Sequence, residues 1–369
     1  MEQTLTDGVP ASTAGGADLF HVAYPRVLPE RKPPGHKPAA PRYTLRWHKP
    51  VGTMVSQYHA VQRTDLDLEQ RRAFFDLMIG SFAEPDGPCA HEMMTFVDEQ
   101  GETNAVVASY WLDATAHARW SVRATASRWF ADPERQTGPT GCWRETIAVP
   151  YDRHETIYSE PHYRIGLART ADAAIVPMTT NGYFGAARDR LPIAAIDPLD
   201  SPLASDPPRA RTLESRGCHL LASTPHNMTA LRSGQFWQAA QAAQLEDYVE
   251  NMEPKLMRGM DYLSHNKTES GTLSLRVMTN LDDDGREKAE TSVLAYFLSM
   301  EQLEGWAKSH DTHLDIYRHA IAMNRKFKAS REVVTWHELF VMPACSAFEY
   351  VNCHPKTGVL PFVAAYRVA

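Results

Sequence analysis

The chain has 369 residues and a formal charge of −7 at pH 7, with 43% hydrophobic and 22% charged residues. That length suggests about two domains at roughly 150 residues each, and the acidic balance disfavours general nucleic-acid binding, which needs a basic face. No apolar run approaches the 18 residues of a membrane span, and the first 18 residues lack a basic segment followed by an apolar one.

Five scattered cysteines (Cys89, Cys142, Cys218, Cys345 and Cys353) form no C-x-x-C or C-x-x-C-H unit. A cytoplasmic protein with reduced thiols, and with neither a zinc ribbon nor covalently attached c-type haem, is therefore expected. Without a secretory signal, the glycosylation patterns at Asn227 and Asn266 are read as coincidence.

Taken in chain order, residues 1–45 read as an arm. Its stretch 29–41 carries five prolines, three Lys/Arg and His36 with no apolar periodicity, the pattern of an extended, solvated segment. Alternation then predicts a strand over 53–61, and apolar residues at helical spacing predict a helix over 68–82. Strands are predicted over 91–97 and 104–111 around the turn Glu99-Gln100-Gly101, a helix over 114–130 and a strand over 144–149.

Residues 160–225 form a connection longer than the roughly 12–15 residues beyond which loops tend to be functional or disordered. Its part 197–208, with four prolines and three aspartates, is expected to wrap the surface. The run Tyr183-Phe184-Gly185-Ala186-Ala187-Arg188-Asp189-Arg190 after Gly182 mixes turn glycines, aromatics and charges, and is expected to fold over a site. Beyond the connection, a strand is predicted over 227–232, a long helical stretch over 236–264, and strands over 272–279 and 288–298 flanking the hairpin turn Asp282-Asp283-Asp284-Gly285. A helical stretch over 300–327 and a last strand over 332–342 complete the pattern.

Two sequence matches recur in the same order. Tyr110-Trp111 precedes Trp120 by the spacing at which Tyr296-Phe297 precedes Trp306, and the run from Trp143 to Pro150 resembles that from Trp336 to Pro343. They argue for an internal repeat, with convergence of two amphipathic strands as the competing explanation. Both copies follow β-α-β-β-α-β, the ferredoxin-like order. The reading is α+β: an arm (1–45), a first half (46–159), a connecting segment contributing to the site (160–225) and a second half (226–369). Two such halves can place their sheets face to face in a barrel-like core.

The copies differ between their tryptophans, where the second gains residues around Ser309-His310-Asp311-Thr312-His313. On a helix starting near Asp311, His313 shares a face with Ile316, Tyr317 and Ala320. It is either a satisfied core histidine or an axial metal or haem ligand, since neutral imidazole is the commonest protein donor. His310 reads as a helix-start or supporting group. His337 shares its strand side with Val333, Thr335, Leu339 and Val341, so its imidazole needs a partner: it is a structural hydrogen-bonder or a proton-transfer group. Ser233, at the predicted end of a strand and before Gly234, reads as the N-cap of the next helix. G-x-G-x-x-G, G-x-x-x-x-G-K-[ST], G-x-S-x-G and H-E-x-x-H are all absent, which removes support for nicotinamide, P-loop, serine-hydrolase and zincin chemistry.

These pieces together resemble the aldoxime dehydratases, haem-containing lyases that convert R–CH=N–OH to nitriles. The resemblance runs from about Trp47 to Phe362. It is carried by 182–190, by Leu231-Arg232-Ser233-Gly234, by 306–314 with its Ser-His-x-Thr-His, and by His337-Glu338 followed by Phe348-Glu349-Tyr350-Val351-Asn352-Cys353-His354-Pro355 and Thr357-Gly358. The chain departs from the family at Phe184, where tryptophan is usual, at Ala187, where methionine is common, and at Asp311, where proline is frequent.

The resemblance implies a pair of ferredoxin-like halves in a dimeric α+β barrel-type core, a homodimer, haem b that is ferrous when active, and a small aldoxime as substrate, with no nucleic-acid or membrane partner. It makes His313 the proximal iron ligand and His337 the distal acid/base, and gives Ser233 the oxime hydroxyl. Arg190 would help hold the distal network, and Glu155, in Glu155-Thr156-Ile157-Tyr158, matches another pocket carboxylate. The alternatives are a haem enzyme of peroxidase or chlorite-decomposing type, which depends on a distal arginine and ferric iron, and a non-catalytic haem carrier or sensor.

Overall fold

The computed structural model describes residues 23–178, 183–344 and 346–368, so residues 1–22 of the arm, Gly182 and Cys345 lie outside the described residues. Residues 23–42 contain no helix or strand but are tied to the connecting segment. The Val27 and Leu28 N–H groups donate to the Ala195 carbonyl at 2.9 and 3.0 Å, and those of Arg31 and Lys32 donate to the Asp189 carboxylate at 2.8–3.0 Å.

The arm runs into β1 (Tyr43–Trp47), followed by β2 (Thr53–Arg63) and α1 (Leu68–Phe82). That helix starts in a capping box: the Asp67 carboxylate accepts the Gln70 N–H and the Gln70 side chain accepts the Asp67 N–H. The hairpin β3 (Ala90–Val97) and β4 (Thr103–Trp111) leads to α2 (Ala114–Arg123), α3 (Thr125–Ala131) and β5 (Gly141–Pro150). The single helix predicted over 114–130 breaks at Ala124, where Glu84 accepts the Thr125 N–H at 3.0 Å and the Ser81 hydroxyl accepts that of Ala126 at 3.1 Å. Side chains from a distant turn thus satisfy the start of a new helix better than continuation would.

The first half ends with β6 (His154–Tyr158), and the connection contributes β7 (Ala173–Pro177), the short α4 (Pro202–Ser205) and β8 (His219–Ser223). The second block then comprises β9 (Thr229–Phe236), α5 (Ala243–Asp247), α6 (Glu253–His265), α7 (Lys267–Ser270), β10 (Thr272–Leu281), β11 (Glu287–Phe297), α8 (Met300–Ser309), α9 (Asp311–Phe327) and β12 (Val334–Val341). Strands β13 (Ala347–Val351) and β14 (Ala365–Arg367) follow.

Two expectations change here. The helix predicted from 236 starts only at Ala243, because the strand continues through Phe236. Ser233 consequently lies inside β9 and caps nothing. Gly234, within the strand, is a close-approach glycine: a Cβ there would stand 2.6 Å from the Trp336 ring and 2.5 Å from the Thr291 carbonyl.

All strand pairs are antiparallel, in the order β14-β8-β13-β5-β2-β4-β3-β10-β11-β9-β12-β6-β1-β7. Within this mixed α/β fold the blocks β5-β2-β4-β3 and β10-β11-β9-β12 carry the same strand order in mirror sequence, joined where Thr279 pairs with Thr95. One face of both blocks contributes to a shared apolar core that includes Met94, Tyr110, Trp143, Met278, Trp336 and Phe340. The other face is covered by helices, α1–α3 over the first block and α6 and α8 over the second. Fully burying one such Phe or Met side chain stabilises by about 1.5–3 kcal/mol. Among the described residues no helix is long and apolar enough to cross a membrane.

Candidate active site

The pleat of β9 and β12 decides what faces the helices. Leu231, Ser233 and Gln235 lie directly opposite Leu339, His337 and Thr335, and alternation turns this set to the helix side, leaving Arg232, Trp336 and Glu338 on the core side. Ser233 also pairs with Val293 of β11.

Facing them is the first turn of α9. His310 caps that helix, its ring accepting the Thr312 N–H at 3.3 Å and stacking on Tyr262 at 3.7 Å. Thr312 in turn accepts the Trp306 indole N–H at 3.1 Å. This clamp fixes the turn, and the His313 ring stands against Trp306 with centroids 4.7 Å apart. Burial pushes the His313 ring down to a pKa of about 4, with the Ala307 backbone pulling the other way and His337 adding to the lowering. A helix N-terminus disfavours a cation as well, so the ring is neutral at pH 7. Its Nδ1 is buried and has no aligned hydrogen-bond partner.

His313, Ser233 and His337 line one cavity of about 920 Å³, part of it open to solvent. Its walls are mainly apolar, with Leu256, Met260, Val293 and Ile316 among them. A neutral imidazole over mainly apolar walls suits a haem held by one histidine. No group of three or more His, Cys, Asp or Glu side chains suited to a bare metal ion occurs among the described residues.

The last strand of the first half and the connecting segment supply the rest. His337 Nε2–H donates to Glu155 Oε1 at 2.7 Å, and Arg190 grips the same carboxylate with two bonds of 2.8 and 3.1 Å while donating to the Tyr183 carbonyl at 2.9 Å. Burial alone would push the Glu155 carboxyl up; Arg190 and then His337 outweigh it and hold it well below the usual carboxylate range. An ionised Glu155 fixes the proton on Nε2, which leaves Nδ1 of the neutral ring to face outward with its lone pair. The Phe184 ring stands 6.2 Å from His313 and 6.0 Å from His337, within reach of both.

All five residues singled out in the sequence thus meet in one place. Sequence reasoning missed Arg42, which lines the cavity although it had been assigned to the arm, and Gln235, which a correct end for β9 would have placed; Thr335, set beside His337 by strand alternation, lines the cavity too. In the first block the counterpart of the Ser233–His337 pair is His59 opposite Arg144. There Trp120 and Phe130 stand 6.1 and 6.4 Å from the His59 ring and fill the space, and Arg144 is bound to Glu349. The second block's longer helix, 17 residues in α9 against 7 in α3, frames a cavity where the first block is packed.

The model of the haem-containing dehydratases matches residues 55–359. The chain is 31% identical to an aliphatic aldoxime dehydratase of Pseudomonas chlororaphis, over 92% of this chain and 96% of that protein. It is 29% identical to a phenylacetaldoxime dehydratase of Bacillus sp. strain OxB-1, over 89% and 93%. In three dimensions it is similar to an aldoxime dehydratase crystallised with butyraldoxime, with a TM-score of 0.81, 29% identity, and 93% and 94% of the two chains covered.

Proposed function

The chain belongs to the haem-containing dehydratase family, and we propose that it dehydrates aldoximes to nitriles, R–CH=N–OH giving R–C≡N and water, with haem b in the ferrous state held by His313. One observation carries the assignment of roles: Ser233 and His337 form a cross-strand pair that lines the same cavity as His313.

When bound, ferrous haem supplies a Lewis site for the oxime nitrogen and electron density toward the N–O bond. Hydroxide leaves poorly until protonated. His337, in its cationic form, gives a proton from Nδ1 to the departing oxygen, and the neutral ring then takes the proton from the oxime carbon. Transfer of this kind contributes typically about 10²–10⁴-fold. The Ser233 hydroxyl aims the oxime OH at that ring, a positioning effect. Glu155 steadies the imidazolium and fixes the ring's orientation, and Arg190 keeps Glu155 ionised. The apolar walls exclude bulk water, which strengthens these polar contacts.

The peroxidase-like reading needs a distal arginine, and Arg190, the arginine joined to His337 through Glu155, is committed to that carboxylate and the Tyr183 carbonyl, which disfavours it in that role. The mirrored strand orders support a pair of ferredoxin-like halves (46–159 and 226–369) in a dimeric α+β barrel-type core, and we assign the protein to the cytoplasm as a homodimer.

The test is an anaerobic optical spectrum of haem-supplied, dithionite-reduced protein given phenylacetaldoxime. A Soret band that shifts on addition and returns as nitrile accumulates is the expected result. A Soret band without nitrile would transfer the protein to the carrier or sensor reading, and the absence of any Soret band would remove haem altogether.

A further inference from the structure

Two arginines near the cavity take no part in the network above. Arg42 is the one Arg or Lys among the described residues that line it. Arg331, just before β12, borders an adjoining cavity that shares Met252 and Ala320 with the first. Only 4% of Arg331 is exposed, yet its Nε and Nη1 have no hydrogen-bond partner. Neither arginine makes an ion pair within 4 Å among the described residues. Burial pushes the Arg331 guanidinium down to about 10, Glu160 opposing this and Arg42 adding to it, so the two cations lie within each other's field.

A buried guanidinium with unpaired donors is costly; the half-buried Arg42 gives one donor to the Pro41 carbonyl at 2.8 Å, and Glu160 is the acidic group in the field of both cations, which leaves donors of the pair for a further anion. The cavity's shape says which kind. From His313 its lining passes along α9 through Tyr317 to Ala320, seven residues or about 10 Å, and the return to β12 places Arg331 beyond that end. The apolar walls suit a flat apolar ring system, with Arg42 on its lining and Arg331 on that of the adjoining cavity.

We infer that Arg331 and Arg42 hold the propionate carboxylates of the haem whose iron His313 ligates, an inference that rests on the haem reading above. Guanidinium presents planar paired donors that match a carboxylate, and the bond is charge-assisted. A carboxylate carried by an acidic substrate shares that chemistry, and the experiment separates the two sources.

The full-length chain is loaded with haem or with haem dimethyl ester, and cofactor loss to excess apomyoglobin is followed in the Soret band, with no reference to turnover. Loss of one charge-assisted bond is worth about ten- to hundred-fold in affinity, so R331Q and R42Q are each expected to release haem faster by about that factor, with R331K intermediate. The wild-type chain is expected to release the dimethyl ester faster than haem, a comparison that needs no variant, and R331Q should not accelerate ester release further. Equal retention of haem and ester by the wild-type chain would overturn the inference, as would R331Q accelerating both alike. Unchanged haem retention in R331Q, with a raised KM confined to carboxylate-bearing aldoximes, would give the guanidinium to the substrate and overturn it too. A wild-type chain that takes up no haem would instead bring down the reading on which the inference rests.

Discussion

Ser233 and His337 stand directly opposite each other on β9 and β12, with Leu231–Leu339 and Gln235–Thr335 as their neighbours in the ladder. A one-residue slip of β12 would exchange His337 for Trp336 or Glu338 at the cavity wall. Gly234 and the Trp336 ring packed against it pin that register, so the distance between hydroxyl and imidazole is a property of the sheet.

H313A is expected to lose haem while keeping the fold, since the ring lines a cavity wall and its Nδ1 has no aligned hydrogen-bond partner. Purified H313A should show no stoichiometric Soret band. A normal five-coordinate ferrous spectrum in this variant would refute the ligand assignment.

H337A and S233A should differ in kind. H337A is expected to retain haem and oxime binding while kcat falls by at least about 10²-fold. S233A should both raise KM and lower kcat, because the hydroxyl orients the substrate. Wild-type kinetics in either variant would exclude that residue from the reaction, and steady-state assays with the spectral binding titration decide it.

E155Q removes the carboxylate that Arg190 and His337 share. Leaving Arg190 buried without its counter-ion costs about 3–5 kcal/mol, so the denaturation midpoint at pH 7 should fall. The Glu155 carboxyl is lower in the folded state than in the unfolded one, so the wild-type pairing contributes fully above the usual carboxylate range and fades as pH drops below it. The gap between E155Q and wild type should therefore narrow on acidification below about pH 4.5. A constant gap would show that Glu155 contributes by packing alone. At neutral pH kcat should also fall, with haem content unchanged.

Glu338 carries the opposite sign. Fully buried, it accepts the Leu167 N–H at 2.6 Å, and burial pushes its carboxyl up to about 7, Arg232 and Leu167 pulling it down and Glu92 adding to the rise. The folded chain thus holds a proton that an exposed glutamate, with a value near 4.3, releases. Stability falls as pH rises between those two values and is level above them. E338Q stays uncharged, so its advantage over wild type should grow by up to about 3 kcal/mol from pH 5 to 7.5. Guanidinium midpoints at the two pH values check this, and parallel midpoints would place the carboxyl in its ordinary range.

Phe184 stands about 6 Å from each of the two histidines and should govern substrate size. F184A is expected to lower KM for bulky arylalkyl aldoximes relative to butyraldoxime, and F184W to do the reverse. Unchanged ratios in both variants would take the ring out of selectivity.

Where structure depends on neighbours in the chain, the sequence was sufficient. The helix over 68–82 was legible because its capping box and apolar spacing lie within one segment, and the hairpin turns because Gly101 and Gly285 mark them. The paired Trp motifs exposed the repeated strand order, and the extra residues before Trp336 pointed to His313. Tertiary structure alone decided what depends on contact between distant segments. The strand predicted to end at Arg232 runs on through Gly234, on which Trp336 packs, and the helix over 114–130 reads as continuous until Ser81 and Glu84 end it. Nothing local joins Glu155 to His337 across 182 positions, or leaves a cavity in one block where Trp120 and Phe130 fill the other. Periodicity reports which face of an element is apolar, but not what arrives to cover it, and the chemistry of this site is made by what arrives.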